Sequence, residues 1–196
     1  MADTGAPWNI PYVEPTDLVR DYPAADEAQA LAVAAGLTAA GGLVAVKYAI
    51  KTGVQSNSLA SGAATEITGL TLTHSLADDA NDVLFFGTIN GAGTDFRQDF
   101  SVAANFNGTQ TPIGDAADTR ISITSQNNQP GSNEMSSVSF MVKYSPGTTA
   151  SRTYGVDVVN VSDLTVTRYV NRSENDTDRR FIARAVSSVV LMEVKV

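Results

Sequence analysis

From Gly42 onward, large apolar side chains recur at every second residue. Val44, Val46, Tyr48 and Ile50 alternate with Lys47 and Lys51, which predicts a half-buried strand with the valine, tyrosine and isoleucine side turned inward. The same period recurs over residues 64–74, 83–90, 95–106, 119–125, 135–144, 153–161, 164–170 and 189–196. Turn chemistry separates these runs: Gly53, Asp78-Asp79, Asn90-Gly91-Ala92-Gly93, Asn107-Gly108, residues 126–131, Ser145-Pro146-Gly147 and residues 173–178. Strands in close succession with no helical period between them predict an all-β domain over 42–196, in the form of a jelly-roll sandwich.

Residues 1–41 follow a different rule. Pro7, Pro11, Pro15 and Pro23 each fix φ and remove a backbone donor, so the segment cannot join a sheet interior or form a long helix. It nevertheless carries Trp8, Ile10, Tyr12, Val13, Leu18 and Tyr22, whereas disordered linkers are poor in such residues. This pattern predicts an extended arm whose apolar groups anchor on another surface. Pro23 suits the first turn of a helix, and Asp26 and Glu27 lie near its positive end. The alanine-rich run 24–40 is therefore expected to be a short helix that Gly41-Gly42 ends. Its stripe of Ala30, Val33, Leu37 and Ala40 either packs on the chain's own domain or lets identical helices approach closely.

Charge narrows the partners. Net charge is −8 with an isoelectric point near 4.5, against the basic face that nucleic-acid binding needs. The acids crowd the start, where Asp3, Glu14, Asp17, Asp21, Asp26 and Glu27 face Arg20 alone. There is no cysteine, which excludes disulfides and thiolate metal sites. The opening has no basic stretch followed by an apolar core, so no secretory leader is expected. Apolar runs such as 31–37 are far shorter than the ~20 residues of a membrane span, so no membrane association is expected.

Catalytic chemistry finds little to work with. His74 is the sole histidine, which removes a histidine-based metal cluster and leaves no choice for a serine triad; at a strand end it reads as a surface or partly buried residue. Asp78, Asp79 and Asp82 miss the spacing of a calcium loop. Glu174, Asp176 and Asp178 suit either a weak cation site or a solvated loop tip. Arg168, Arg172, Arg179, Arg180 and Arg184 surround that loop and are expected to compensate its charge. Glycines 91 and 93 precede no helix, so they do not read as a phosphate cradle. No pair of acids stands out for glycoside cleavage. The expectation is a protein that is not an enzyme and carries no cofactor.

The stretch from Asn9 to Ala24, opening Asn9-Ile10-Pro11-Tyr12-Val13-Glu14-Pro15-Thr16-Asp17, resembles the start of structural proteins of tailed bacteriophages. In those fibre, spike and decoration proteins such a segment precedes a short alanine-rich helix. Ser187-Ser188-Val189-Val190-Leu191-Met192-Glu193-Val194 is similar to the final strand of their trimeric jelly-roll modules, and Thr153-Tyr154-Gly155-Val156-Asp157-Val158 to the strand before it. The resemblance covers about a quarter of the chain and implies a homotrimer in the virion, assembled in the host cytoplasm. It implies one of two partners: the major capsid protein, for a capsid decoration (cement) or head-fibre protein, or a tail protein, for a tail-fibre protein recognising a host glycan. Copies per particle separate the two. An arm of this length reaches ~70 Å when extended, and three arms on a lattice bind with avidity.

Overall fold

The computed structural model describes residues 2–3, 11–12, 42–94, 99–111, 113–115, 120–128, 133–177 and 184–196. The anchors Trp8, Ile10, Val13, Leu18 and Tyr22, and the helix expected over 24–40 with its stripe Ala30, Val33 and Leu37, lie outside the described residues. Of the arm, β1 (Ala2–Asp3) pairs antiparallel with β2 (Pro11–Tyr12), with Ala2 opposite Tyr12.

The remaining strands form two six-stranded sheets in which every pairing is antiparallel, and among the described residues there is no helix. The first sheet holds β3 (Leu43–Lys51), β4 (Gln55–Leu59), β7 (Asp82–Gly93), β11 (Ser136–Tyr144), β13 (Val166–Val170) and β14 (Ser187–Val194). The second holds β5 (Ala64–Glu66), β6 (Leu72–His74), β8 (Asp99–Phe106), β9 (Thr109–Gln110), β10 (Ser125–Asn128) and β12 (Arg152–Val159). Their inner faces meet in one core. Phe85 and Ile89 of β7, Phe140 of β11 and Leu191 of β14 pack toward Phe100 and Val102 of β8 and Tyr154 and Val156 of β12. The rings of Phe85 and Phe140 lie 5.5 Å apart, and those of Tyr144 and Tyr154 5.7 Å apart.

Several expectations need correction. Residues 90–93 are not a turn but the buried end of β7. A Cβ at Gly91 would collide with the Phe100 ring and the Tyr169 carbonyl oxygen, and one at Gly93 with the Arg168 guanidinium. These glycines are close approaches of neighbouring chain, which a sequence cannot distinguish from turn residues. The run 64–74 splits into β5 and β6 around the turn at Gly69, whose φ is +86°. The strand expected over 119–125 begins only at Ser125. Arg168 is not part of the basic loop cluster; it is fully buried and donates to the Asp99 carbonyl and to Asn160 Oδ1. The loop cluster itself does compensate charge locally, since Asp176 accepts from Arg184 at 2.7 Å and lies 3.7 Å from Arg172.

His74, expected at the surface or partly buried, is buried. Its Nε2 lies 2.7 Å from Glu193 Oε2, and Glu193, 1% exposed, also accepts from the Ala77 N–H and the Asn81 amide. Burial pushes the Glu193 carboxyl up, but the hydrogen bonds from Asn81, Ala77 and His74 outweigh it and hold the group below its ordinary value of 4.5. A depressed folded value means that the carboxylate stabilises the fold above pH 4.5, and that this contribution is lost as pH falls through the lower folded value. Glu193→Gln is therefore expected to flatten the loss of stability on acidification. Glu193→Ala should cost about 3 kcal/mol at neutral pH by stranding its three donors. Urea melts between pH 3 and 7 check both; an unchanged acid slope in Glu193→Gln would rule out this carboxylate as a source of acid sensitivity.

Candidate functional site: an apolar outer face

In the first sheet β3, β14 and β7 carry apolar residues on the outer side as well as toward the core, and that outer side is the candidate site. β3 turns opposite to expectation: Val44, Val46, Tyr48 and Ile50 face out, with Tyr48 70% exposed, while Ala45, Ala49 and Lys51 are the half-buried positions and Ala49 packs on the core. The lysines follow from the strand's place at the sheet edge. Lys47 and Lys51 cross to the second sheet, where their ammonium groups donate to the Thr73 and Thr68 carbonyls at 2.6 and 3.0 Å. Small alanines and long lysine stems thus close the open side of the sandwich, and the bulkier residues are left outside.

Strand register lines these residues up with their neighbours. One row crosses the sheet as Tyr48, Val190, Phe86 and Met141, and the next as Val46, Met192, Leu84 and Lys143. Met141 is 73% exposed, while Val190, Phe86, Met192 and Leu84 are half-buried among their neighbours. Val46, Tyr48, Ile50 and Met141 alone present on the order of 400 Å² of apolar surface, the size at which a patch on a soluble protein marks an interaction site.

Polar groups bracket these rows. On one side Thr88 and Ser139 share a hydrogen bond at 3.0 Å, Ser137 bonds Asn90 Oδ1, and the Asn90 amide donates to the Val186 carbonyl at 2.7 Å. On the other, Lys143 Nζ lies 2.5 Å from Asp82 Oδ2. Lys143 and Ser145 as donors hold the Asp82 carboxyl below its ordinary value against the desolvation that would raise it. An apolar centre ringed by satisfied polar groups can bury itself against a complementary surface without stranding a donor or a charge.

Of the anchors expected from sequence, only Tyr12 falls in a described strand. The outer-face residues did leave a signal. β7 and β14 read as nearly continuous apolar runs, whereas an antiparallel strand with one wet face alternates. Met141 likewise interrupts the polar series Ser137, Ser139 and Lys143.

No known family model matches the chain. No curated protein matches it either. Among solved structures, the crystal structure of the infectious bursal disease virus VP2 subviral particle is similar to 78% of this chain, at 9% identity and a TM-score of 0.33. The chain spans 40% of that protein's length.

Proposed function

We propose that the chain is a non-enzymatic virion structural protein of a tailed bacteriophage, a capsid decoration (cement) or head-fibre protein. Three copies of 42–196 associate as a jelly-roll trimer through the outer face of the first sheet. Residues 1–41 bind the major capsid protein, with Trp8, Ile10, Tyr12, Val13, Leu18 and Tyr22 as anchors.

The observation that carries this reading is the row Tyr48, Val190, Phe86 and Met141, an apolar strip four strands wide on the outside of the domain. A second copy of the chain is the partner that every such strip has at equal concentration, and closed rotational symmetry is the usual form of such association. The jelly-roll assignment is supported by the wiring. β7 to β8, β10 to β11 and β11 to β12 each pass between sheets, and β14 lies between β3 and β7, both distant in sequence. The phage assignment is supported by the motifs at Asn9–Ala24 and Ser187–Val194.

Deleting residues 1–23 is expected to leave a folded protein of unchanged oligomeric state that no longer joins particles. Sedimentation of the truncated protein, alone and with particles lacking the native copy, checks this. Decoration by the truncated protein would exclude the arm as the attachment element.

A further inference from the structure

A second surface lies at the other end of the domain. The segment before β3 joins at Leu43, which stands opposite Val194 and, across β14, Asp82 at the start of β7. β7 then runs to Gly93, about 36 Å away at ~3.3 Å per residue. There Gly93 pairs with Arg168, whose guanidinium donates to the Asp99 carbonyl. Asp99 opens a cleft of about 490 Å³, within the ~300–1,000 Å³ typical of small-molecule sites.

Asp99, Asp163, Arg120 and Gln126 line this cleft, with Ile121 and Val161 as its apolar wall. Asp99 and Gln126 project from one face of the β8–β10 ladder, because Asp99 stands opposite Asn128 and Gln126 opposite Ser101. That face is the outer one, since Phe100 and Val102 between them enter the core. Arg168 pins the Asp99 backbone from beneath, so one wall is held by a buried side chain. None of the four polar side chains is hydrogen-bonded to another described residue, and the two carboxyl-bearing residues, the arginine and the glutamine line one cleft.

We propose that this cleft binds a neutral pyranose unit of a saccharide. Carboxylates accept from vicinal hydroxyl pairs, the guanidinium donates to hydroxyl and ring oxygens, and Gln126 does both. Ile121 and Val161 offer apolar contact to the C–H side of a sugar ring. Two acids against one base, on a chain of net charge −8, repel sialic acids and sulfated or phosphorylated sugars. That the cleft points away from the particle rests on the attachment reading above; its ligand class does not.

The test uses the full-length protein free of particles, so it is independent of shell attachment. Saturation-transfer NMR is recorded with methyl pyranosides of glucose, galactose, mannose and N-acetylglucosamine, and with sialic acid and glucose 6-sulfate, each at about 10 mM. At least one neutral pyranoside is expected to bind saturably, Asp163→Ala and Gln126→Ala each weakening it about tenfold while the melting temperature holds. Tyr48→Glu, on the outer face of the first sheet, should leave binding intact. No saturable binding by any neutral sugar, binding indifferent to Asp163→Ala and Gln126→Ala, or preference for the anionic sugars would each overturn the proposal.

Discussion

Tyr48→Glu combined with Met141→Glu is expected to abolish the proposed self-association through the outer face and leave folded monomers. The two positions end one row of the outer face, at opposite edges of the four strands, and are 70% and 73% exposed. In the isolated domain both side chains stand in water, so a carboxylate there costs the fold little. Within a trimer each carboxylate would be desolvated, beside others of its kind around the symmetry axis and with no described cation in its row. Association should weaken by at least about 10³-fold, equivalent to about 4 kcal/mol, at unchanged monomer melting temperature. Leu164→Glu is the control. It removes an apolar residue 62% exposed in the β12–β13 connection, away from the face, and should leave association intact. Sedimentation velocity at micromolar protein distinguishes the cases. A wild-type monomer, or a double variant that still assembles, would remove the face from consideration as a self-association surface.

Where the strands lie was largely legible, because period two survives wherever one face is core. β11 shows it cleanly: Val138, Phe140, Val142 and Tyr144 point in, and Ser137, Ser139 and Lys143 point out. β12 and β14 likewise fall within a few residues of expectation. Orientation was not legible on β3, since hydrophobicity ranks Val46 and Tyr48 above Ala45 and Ala49 while the geometry of an edge selects small residues and long lysines for the inside. β4 was invisible because Gln55, Ser56, Asn57 and Ser58 are polar on both faces; its place comes from pairing with β13 and from Gln55 bonding the Glu66 carbonyl and the Thr68 N–H of the other sheet. The buried polar groups were equally hidden. Asn160 donates to the Leu59 and Ala60 carbonyls, and Glu193 meets residues equally remote, contacts between residues a hundred or more positions apart that no local window contains. The outer face combines both difficulties, being assembled by register among four strands from separate parts of the sequence, and only Met141 looks out of place on its own.

Gly91→Ala is expected to destabilise the domain by about 4 kcal/mol, enough to unfold many proteins of this size. Gly91 is buried in β7, with a backbone that any residue can adopt, so conformational freedom is not what it supplies. What it supplies is room. A methyl group there meets two obstacles from different sheets: the Phe100 ring, fully buried in the core, and the Tyr169 carbonyl oxygen in the β7–β13 ladder. A long flexible side chain could swing aside at little cost, but a packed ring cannot move without displacing its neighbours, and the carbonyl cannot move without opening strand pairing. The change therefore separates β13 from β7 where Asn171, at φ +62°, also ties the chain to the Lys51 and Gly53 carbonyls through its amide. Gly53→Ala provides the contrast, since nothing lies within 4 Å of a Cβ at Gly53, and it should shift stability by less than about 0.5 kcal/mol. Urea melts of the two variants beside wild type decide the matter. If Gly91→Ala melted with Gly53→Ala rather than far below it, the close approach of β7, β8 and β13 at this point would be wrong, and with it the register that carries β7 to the saccharide cleft.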